Sequence, residues 1–251
     1  MATGKQEKKT RSNKSNSRNT NTGGSTTSTN SNTSSTSNTN SGNQIKTTNG
    51  HNNNSKETEK KEILVKIGML GEVQVGKTSL MVKYVENKFD EDYIMTLGVN
   101  FLEKNMSIKK NPVKVMIWDL AGQRDFMSML DLVCSESVAL LFVFDLTKKQ
   151  TLQAVKDWYL QSRKHNKKAT PFLIGSKYDK FIELPEEEQA SITRLARKYA
   201  AKMHAPLIFS SAAVGINVKK LFKLILCKIF NIKANMKQFS NVGEPIFEWD
   251  T

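Results

Sequence analysis

Short apolar runs alternate with amphipathic segments from residue 63 onward, and each predicts a different element. Runs such as 63–70 and 137–146 are almost continuously apolar, as expected for strands buried on both faces of a parallel sheet. The alternation predicts an α/β fold, a mostly parallel six-stranded sheet with helices on both faces. The predicted strands are 63–70, 99–109, 113–118, 137–146, 171–175 and 207–210, and the predicted helices are 77–89, 151–163, 186–203 and 217–232.

The first sixty residues lack this pattern. Asn, Ser and Thr occupy 36 of the first 55 positions, and three of those 55 residues are apolar. Burial of so few apolar side chains cannot offset the backbone entropy lost on ordering, so we predict that residues 1–60 are a disordered tail. The chain then divides into this tail, a domain over 62–232 and a C-terminal extension over 233–251, which can fold back on the domain or bind a partner.

Composition excludes several classes of protein. No apolar run approaches the roughly 20 residues needed to cross a bilayer, and the N-terminal residues lack the apolar stretch of a signal peptide. Cys134 and Cys227 lie in apolar contexts without metal-ligand spacing, which favours buried thiols in a reducing, cytoplasmic compartment. Ala2 stands where myristoylation requires Gly, and the last residues include no cysteine, so we expect no lipid anchor.

Residues 71–78 match the phosphate-binding pattern G-x-x-x-x-G-K-[ST] and lie between a predicted strand and a predicted helix, as this loop requires. Its glycines let backbone N–H groups wrap around a phosphate chain at a helix N-terminus. Lys77 can reach the outer phosphates, and the Thr78 hydroxyl can bind Mg²⁺. The predicted phosphate-binding residues are Gly71, Glu72, Val73, Gln74, Val75, Gly76, Lys77, Thr78 and Ser79.

A second motif follows about forty residues later, at the end of a predicted strand. Asp119 can hold Mg²⁺ through water, the Gly122 amide can touch a γ-phosphate, and Gln123 can orient an attacking water. Thr96, in the preceding loop, can complete the Mg²⁺ coordination only when a γ-phosphate is present, which would make that loop a switch. The predicted catalytic residues are Gln123, Lys77 and Thr96, and the predicted metal ligands are Thr78, Thr96 and Asp119.

Two further strand ends carry candidates for recognition of a base. Asp179 can accept two hydrogen bonds, from N1–H and N2–H₂ of guanine, whereas adenine offers an acceptor there and no amino group. This favours GTP over ATP. The predicted base-binding residues are Ser176, Lys177 and Asp179 after one strand and Ser211 and Ala212 after the next, where a backbone amide can meet guanine O6.

Together these motifs resemble the small GTPases of the Ras superfamily over about residues 62–232. The resemblance implies a P-loop G domain that binds GTP and GDP with Mg²⁺ and hydrolyses GTP as a switch. Particular stretches resemble the septum-promoting GTPases of the fungal septation-initiation and mitotic-exit networks; they are 93–101, 118–126, 144–147, 177–179 and the Gly-Glu-Pro tail 243–245.

The resemblance also implies partners and a location. The partners are a two-part GTPase-activating complex with a TBC-type catalytic subunit, an exchange factor, and a downstream protein kinase. The GTP form of such a switch recruits the kinase to start cytokinesis. The location implied is the centrosome or spindle pole.

Three residues depart from the pattern that this family implies. Ser176 replaces the Asn usual before Lys-x-Asp, and Ala213 replaces the usual Lys. Each replacement removes a contact that helps to fix the base, so we expect weaker nucleotide binding and faster exchange. Val73 stands where Ras has a glycine whose replacement crowds the γ-phosphate and obstructs an incoming arginine, so we expect altered hydrolysis.

Three other functions remain open. The first is a Rab-like GTP-binding scaffold in trafficking with little intrinsic hydrolysis. Val73 favours this function, whereas Gln123 argues against it. Nucleic-acid binding would use the basic residues between Lys5 and Arg18, but this arm has no aromatic residue for base stacking and no recognisable nucleic-acid-binding fold follows it. A P-loop kinase or ATPase would need a lid or an acceptor site that the domain is too short to supply, and Asp179 disfavours adenine.

We predict that Val73→Gly increases GTP hydrolysis in the presence of an activator by at least roughly tenfold, because an arginine finger contributes roughly 10³–10⁵ to such reactions and crowding forfeits part of that gain. TBC-type activators can also supply a glutamine, which would lessen the effect. Single-turnover phosphate release, alone and with a TBC-domain protein, measures it. Equal rates of phosphate release from the unaltered chain and from Val73→Gly would contradict the expected crowding.

Overall fold

The computed structural model describes residues 62–92 and 94–249. The disorder predicted for residues 1–60, the basic arm within them, and Tyr93 of the predicted switch loop lie outside the described residues. Within those residues, no helix is long and apolar enough to cross a membrane.

The strands of the described residues form one sheet. They are β1 (Ile63–Leu70), β2 (Val99–Ile108), β3 (Asn111–Leu120), β4 (Ala139–Asp145), β5 (Thr170–Ser176), β6 (Leu207–Phe209) and β7 (Phe247–Glu248). Their order across the sheet is β2-β3-β1-β4-β5-β6-β7. β2 pairs antiparallel with β3 and β7 antiparallel with β6, whereas the other neighbours are parallel. The mostly parallel sheet of the sequence analysis is therefore confirmed.

Helices cover both faces of this sheet, as predicted. They are α1 (Lys77–Glu86), α2 (Leu130–Cys134), α3 (Lys149–His165), α4 (Tyr178–Phe181), α5 (Glu186–Met203) and α6 (Val218–Ile229), and a 3-10 helix spans Arg124–Met129. β4 is buried along its whole length and separates two cores. Leu141 and Val143 join the core shared with α1 and α6, while Phe142 and Phe144 join the core shared with α3 and α5. This alternation is the two-residue period of a strand.

The sheet has seven strands, so the predicted number of six was wrong. The additional strand, β7, comes from the C-terminal extension, which folds back along the outer edge of β6. The Phe209 amide donates to Ile246 O at 2.8 Å, and Ile246 and Phe247 are fully buried. Two residues are too few to show a strand period, so the pairing could not be read from sequence. Pairing of this segment covers backbone groups that an edge strand would leave exposed.

Other differences lie at element ends and in short elements. α1 was predicted to extend to about residue 89, but it ends at Glu86 because Asn87 adopts a left-handed conformation with φ of 58°. Asn tolerates this conformation better than most residues and commonly ends helices. The 3-10 helix, α2 and α4 were not predicted, since their lengths of 4 to 6 residues give little periodic signal.

We predict that Phe247→Ala lowers the free energy of unfolding by about 3–5 kcal/mol, because the ring is fully buried and its loss leaves a cavity. Denaturant unfolding of the full chain measures this change. Val242→Ala is the control in the same segment, since Val242 is 46% exposed and its truncation is expected to change stability by less than about 0.5 kcal/mol. Equal effects of the two substitutions would show that β7 is not part of the folded core.

Candidate nucleotide site

A cavity of about 740 Å³ lies among the loops that follow β1, β3, β5 and β6 and the segment between α1 and β2. Parallel strands present their carboxyl ends at one edge, and ligands of open α/β sheets bind there. The volume is in the range of small-molecule sites. The predicted site residues that line it are Val73, Gln74, Gly76, Lys77, Thr78, Ser79, Thr96, Gly122, Gln123, Ser176, Lys177, Asp179 and Ala212; those that do not are Gly71, Glu72, Val75, Asp119 and Ser211.

The loop after β1 is held close to the sheet. Gly71 has φ of 147°, and a Cβ at this position would lie 2.2 Å from Val143 O, so only glycine fits. The buried Lys77 ammonium donates to Gly71 O and to Glu72 O, at 2.9 Å each. Burial lowers the pKa of Lys77, while Asp119 opposes this shift. An anionic ligand in the loop would therefore supply a counter-charge that the lysine needs.

The side chain of Glu72 faces away from the cavity. Its Oε1 accepts a hydrogen bond of 3.0 Å from Trp158 Nε1 on α3. This contact ties the phosphate-binding loop to α3. Any contact of Glu72 with a ligand would therefore come from its backbone.

Two hydroxyls that line the cavity meet a buried carboxylate that lies beneath it. Thr78 Oγ1 lies 2.8 Å from Thr96 Oγ1 and donates a hydrogen bond to Asp119 Oδ2. Asp119 is fully buried, and its Oδ1 has no hydrogen-bond partner among residues 62–92 and 94–249. Burial raises the pKa of Asp119, with Lys77 and the Thr78 hydroxyl opposing. An unpartnered carboxylate oxygen beside two hydroxyls is the hard oxygen donor set that Mg²⁺ takes, so these residues fit the predicted metal.

The loop after β3 packs directly on the phosphate-binding loop. A Cβ on Gly122 would lie 2.3 Å from Val73 N and 2.3 Å from the carbonyl carbon of Glu72, so a side chain at this position would collide with backbone. The next residue, Gln123, lines the cavity. Its Oε1 is buried and, within the described part of the chain, makes no hydrogen bond. The amide oxygen therefore keeps its hydrogen-bonding capacity unused among these residues.

The loop after β5 is fixed at two points. Ser176 Oγ lies within hydrogen-bond distance of two carbonyls, Val75 O at 2.6 Å and Phe144 O at 2.9 Å. Lys177 Nζ lies 2.7 Å from the buried carboxylate of Asp145. These contacts join the loop to the phosphate-binding loop and to β4. Asp179, two residues further on, lines the cavity.

The loop after β6 offers fewer free groups than expected. The Ser211 amide donates to Ile216 O at 3.1 Å, and the Ser211 hydroxyl accepts from the Val214 amide at 3.3 Å. Both groups stabilise the loop itself. Ala212 and Ala213 line the cavity, and a backbone contact to a base would come from this pair.

The residues of this site that the sequence analysis missed include Phe89 and Asp145. Phe89 is 38% exposed and lines the cavity just beyond α1. The sequence analysis placed it at the end of the predicted helix 77–89, so the pattern gave no signal that it belongs to the site. The buried Asp145 carboxylate anchors Lys177 through an ion pair. An acidic residue at the end of a continuously apolar strand was the signal that could have found it.

The sequence model of the Ras family matches residues 66–231. The chain belongs to the Ras family. It is therefore a small GTPase, an enzyme that hydrolyses GTP, and the resemblance stated from its motifs is confirmed.

Curated relatives of this small GTPase agree with the family assignment. The septum-promoting GTP-binding protein 1 of Schizosaccharomyces pombe is 49% identical over 77% of this chain and 98% of its own length. The Ras-related protein Rab-22A of Homo sapiens is 31% identical over 68% of this chain and 87% of its own. The Ras-related protein SEC4 of Saccharomyces cerevisiae is 28% identical over 79% and 88%.

Val73 distinguishes this GTPase from Ras at the phosphate-binding loop. The side chain is 40% exposed and lines the cavity, and the Val73 amide lies at the contact point with Gly122. The Val73 side chain therefore forms part of the cavity wall. Its effect on hydrolysis stays a prediction.

We predict that Ser176→Ala accelerates GDP release by between about two- and tenfold. The Ser176 hydroxyl ties the loop after β5, here called a base-side loop together with the loop after β6, to Val75 O. One hydrogen bond contributes about 0.5–1.5 kcal/mol. Dissociation of a fluorescent GDP analogue measures the rate. Ser162→Ala on α3 is the matched control, since Ser162 is also buried and its Oγ donates to Tyr159 O at 2.9 Å. Indistinguishable release from both variants would contradict the anchoring role of Ser176.

Proposed function

We propose that the cavity binds GTP and GDP together with Mg²⁺ and that the chain switches between the two nucleotide states. The observation that carries this proposal is the gathering of four motif-bearing loops around one cavity, above an Asp119 oxygen that has no hydrogen-bond partner among the described residues. Backbone N–H groups of 71–79 and the Lys77 ammonium hold the phosphates. Thr78, Thr96 and Asp119 hold the metal. Mg²⁺ bound there neutralises charge that develops on the β- and γ-phosphates.

Guanine is recognised by the loops after β5 and β6. The Asp179 carboxylate accepts from N1–H and the 2-amino group, a pair of donors that adenine lacks. Ser176 and Lys177 hold this loop in place through Val75 O and the Asp145 carboxylate. Ala212 supplies the backbone amide for O6, with Ser211 shaping its loop. Phe89 packs its ring against the nucleotide from the other side of the cavity.

Hydrolysis uses the groups nearest the outer phosphate. Gln123 orients the attacking water through its side-chain amide. Lys77 stabilises charge on the outer phosphates. Thr96 would complete the metal coordination only when the third phosphate is present, and its loop would thereby report which nucleotide is bound.

The cellular role that we propose is control of septation, cytokinesis and mitotic exit. The support is the 49% identity to a protein named for promoting septum formation, together with the motif resemblance to that group of GTPases. In this role the GTP form recruits a protein kinase at the centrosome or spindle pole. An exchange factor turns the switch on, and a TBC-type activating complex turns it off.

A second candidate is a Rab-like GTP-binding scaffold in trafficking. The placement of Val73 at the cavity wall favours it, because crowding of the third phosphate would prolong the GTP state. The identities of 31% to Rab-22A and 28% to SEC4 also support it. In this case phosphate release stays slow with every activator.

Expression in Schizosaccharomyces pombe cells depleted of their own septum-promoting GTPase tests the proposed role. We expect the chain to restore septum formation and to enrich a protein kinase when it is loaded with a GTP analogue. Lys77→Ala is expected to fail in both, since the phosphates lose their cation. A protein that binds GTP and hydrolyses it but restores no septa would contradict the septation role and leave the switch intact.

A further inference from the structure

Residues 239–249, here called the C-terminal segment, are folded onto the sheet and α5. Beyond the β7 pairing, Phe247 and Trp249 pack edge to face with ring centroids 5.0 Å apart. Arg197 of α5 forms an ion pair of 2.6 Å with Glu248 and donates to Ser240 O. Apolar burial and ion pairing therefore hold the two ends of this segment.

The middle of the C-terminal segment is a turn shaped by its own contacts. Asn241 Nδ2 donates to Glu244 Oε2 at 3.1 Å, and the Glu244 amide donates to Asn241 O at 3.1 Å. Between them, Gly243 has φ of 85°, a left-handed conformation that glycine adopts freely. The turn thus presents the Gly243 carbonyl in a fixed direction.

That carbonyl meets the loop assigned to the base. Tyr178 lies between Lys177 and Asp179, and its hydroxyl donates to Gly243 O at 2.6 Å. Its ring is buried near Phe181, with centroids 6.2 Å apart, and its amide donates to Ser210 O at 3.0 Å. Burial and Glu244 raise the pKa of Tyr178, so the hydroxyl keeps its proton at neutral pH.

The segment also contacts the second base-side loop. Asn217 closes the loop that begins at Ser211 and precedes α6. Its Nδ2 donates to Phe209 O at 2.9 Å and to Pro245 O at 3.0 Å. The turn of the C-terminal segment therefore touches both loops that flank the proposed base position, although none of its residues lines the cavity.

We propose that Tyr178 is a positioning residue for guanine, and that through it the C-terminal segment holds Asp179 in place and slows nucleotide release. This inference rests on the proposed function, because it assumes that Asp179 reads the base. A segment outside the cavity then regulates the lifetime of the bound nucleotide. Any partner that lifts the C-terminal segment would accelerate exchange without entering the site.

Tyr178→Phe in the full chain tests the inference, since it removes the hydroxyl and keeps the ring. We expect GDP release to accelerate by between about two- and tenfold, the range that one hydrogen bond contributes. We also expect the affinity ratio of GDP to inosine diphosphate to fall by at least about twofold, because inosine lacks the 2-amino group that a well-placed Asp179 accepts from. A residue with a merely structural role would leave that ratio unchanged.

Two further variants complete the experiment. Tyr159→Phe is the matched control, because the Tyr159 hydroxyl makes no hydrogen bond within the described residues. The Tyr159 ring packs on Phe142, on the face of the sheet that α3 covers. We expect the Tyr159→Phe variant to release GDP at the same rate as the unaltered chain. Arg197→Gln loosens the C-terminal segment without changing a residue of either base-side loop. We expect this variant, like Tyr178→Phe, to release GDP faster than the unaltered chain.

Four outcomes are distinguishable. Faster release and a lower ratio in Tyr178→Phe support the inference. If both Tyr178→Phe and Arg197→Gln bind GDP with an unchanged release rate and an unchanged affinity ratio, the inference is overturned while the proposed function stands. Faster release with an unchanged ratio also overturns it, since Tyr178 then acts on stability alone. Absence of GDP binding by the unaltered chain overturns the proposed function and this inference with it.

Discussion

A carboxylate shut away from water lies beneath the cavity, and the rest of the site is arranged around it. Asp119 is fully buried, and one of its oxygens has no hydrogen-bond partner in the described part of the chain. Burying a charge in this way is costly unless a cation compensates it. Lys77 supplies part of that compensation, but its own pKa is lowered by burial. The site is thus suited to take up a metal and an anion together, which is the chemistry of a magnesium nucleotide.

The sheet determines which groups surround this carboxylate. Because β1, β3, β5 and β6 deliver their loops to the same edge, residues more than 130 positions apart in the chain meet at one cavity. The loops then brace one another. Gly122 abuts the Glu72–Val73 backbone, and Ser176 reaches Val75 O. Movement of one loop must therefore disturb its neighbours, which is what a two-state nucleotide switch requires.

Much of the fold was predictable from local pattern. β1 and α5 have the predicted bounds, because a continuously buried strand and a long amphipathic helix each carry a strong periodic signal. The order of the four motifs predicted which loops would line the cavity. The partners of Asp145, Tyr178 and Phe247 were not predictable in this way, since each depends on a contact between distant parts of the chain.

The most direct test of this account is displacement of a fluorescent GDP analogue from the purified chain by unlabelled GTP or ATP, with and without Mg²⁺, followed by phosphate release in the same sample. We expect GTP to displace the analogue and ATP to fail, binding to tighten with Mg²⁺, and phosphate to be released slowly and then faster with an activator. Equal competition by ATP would contradict the role given to Asp179, and binding indifferent to Mg²⁺ would contradict the role given to Asp119.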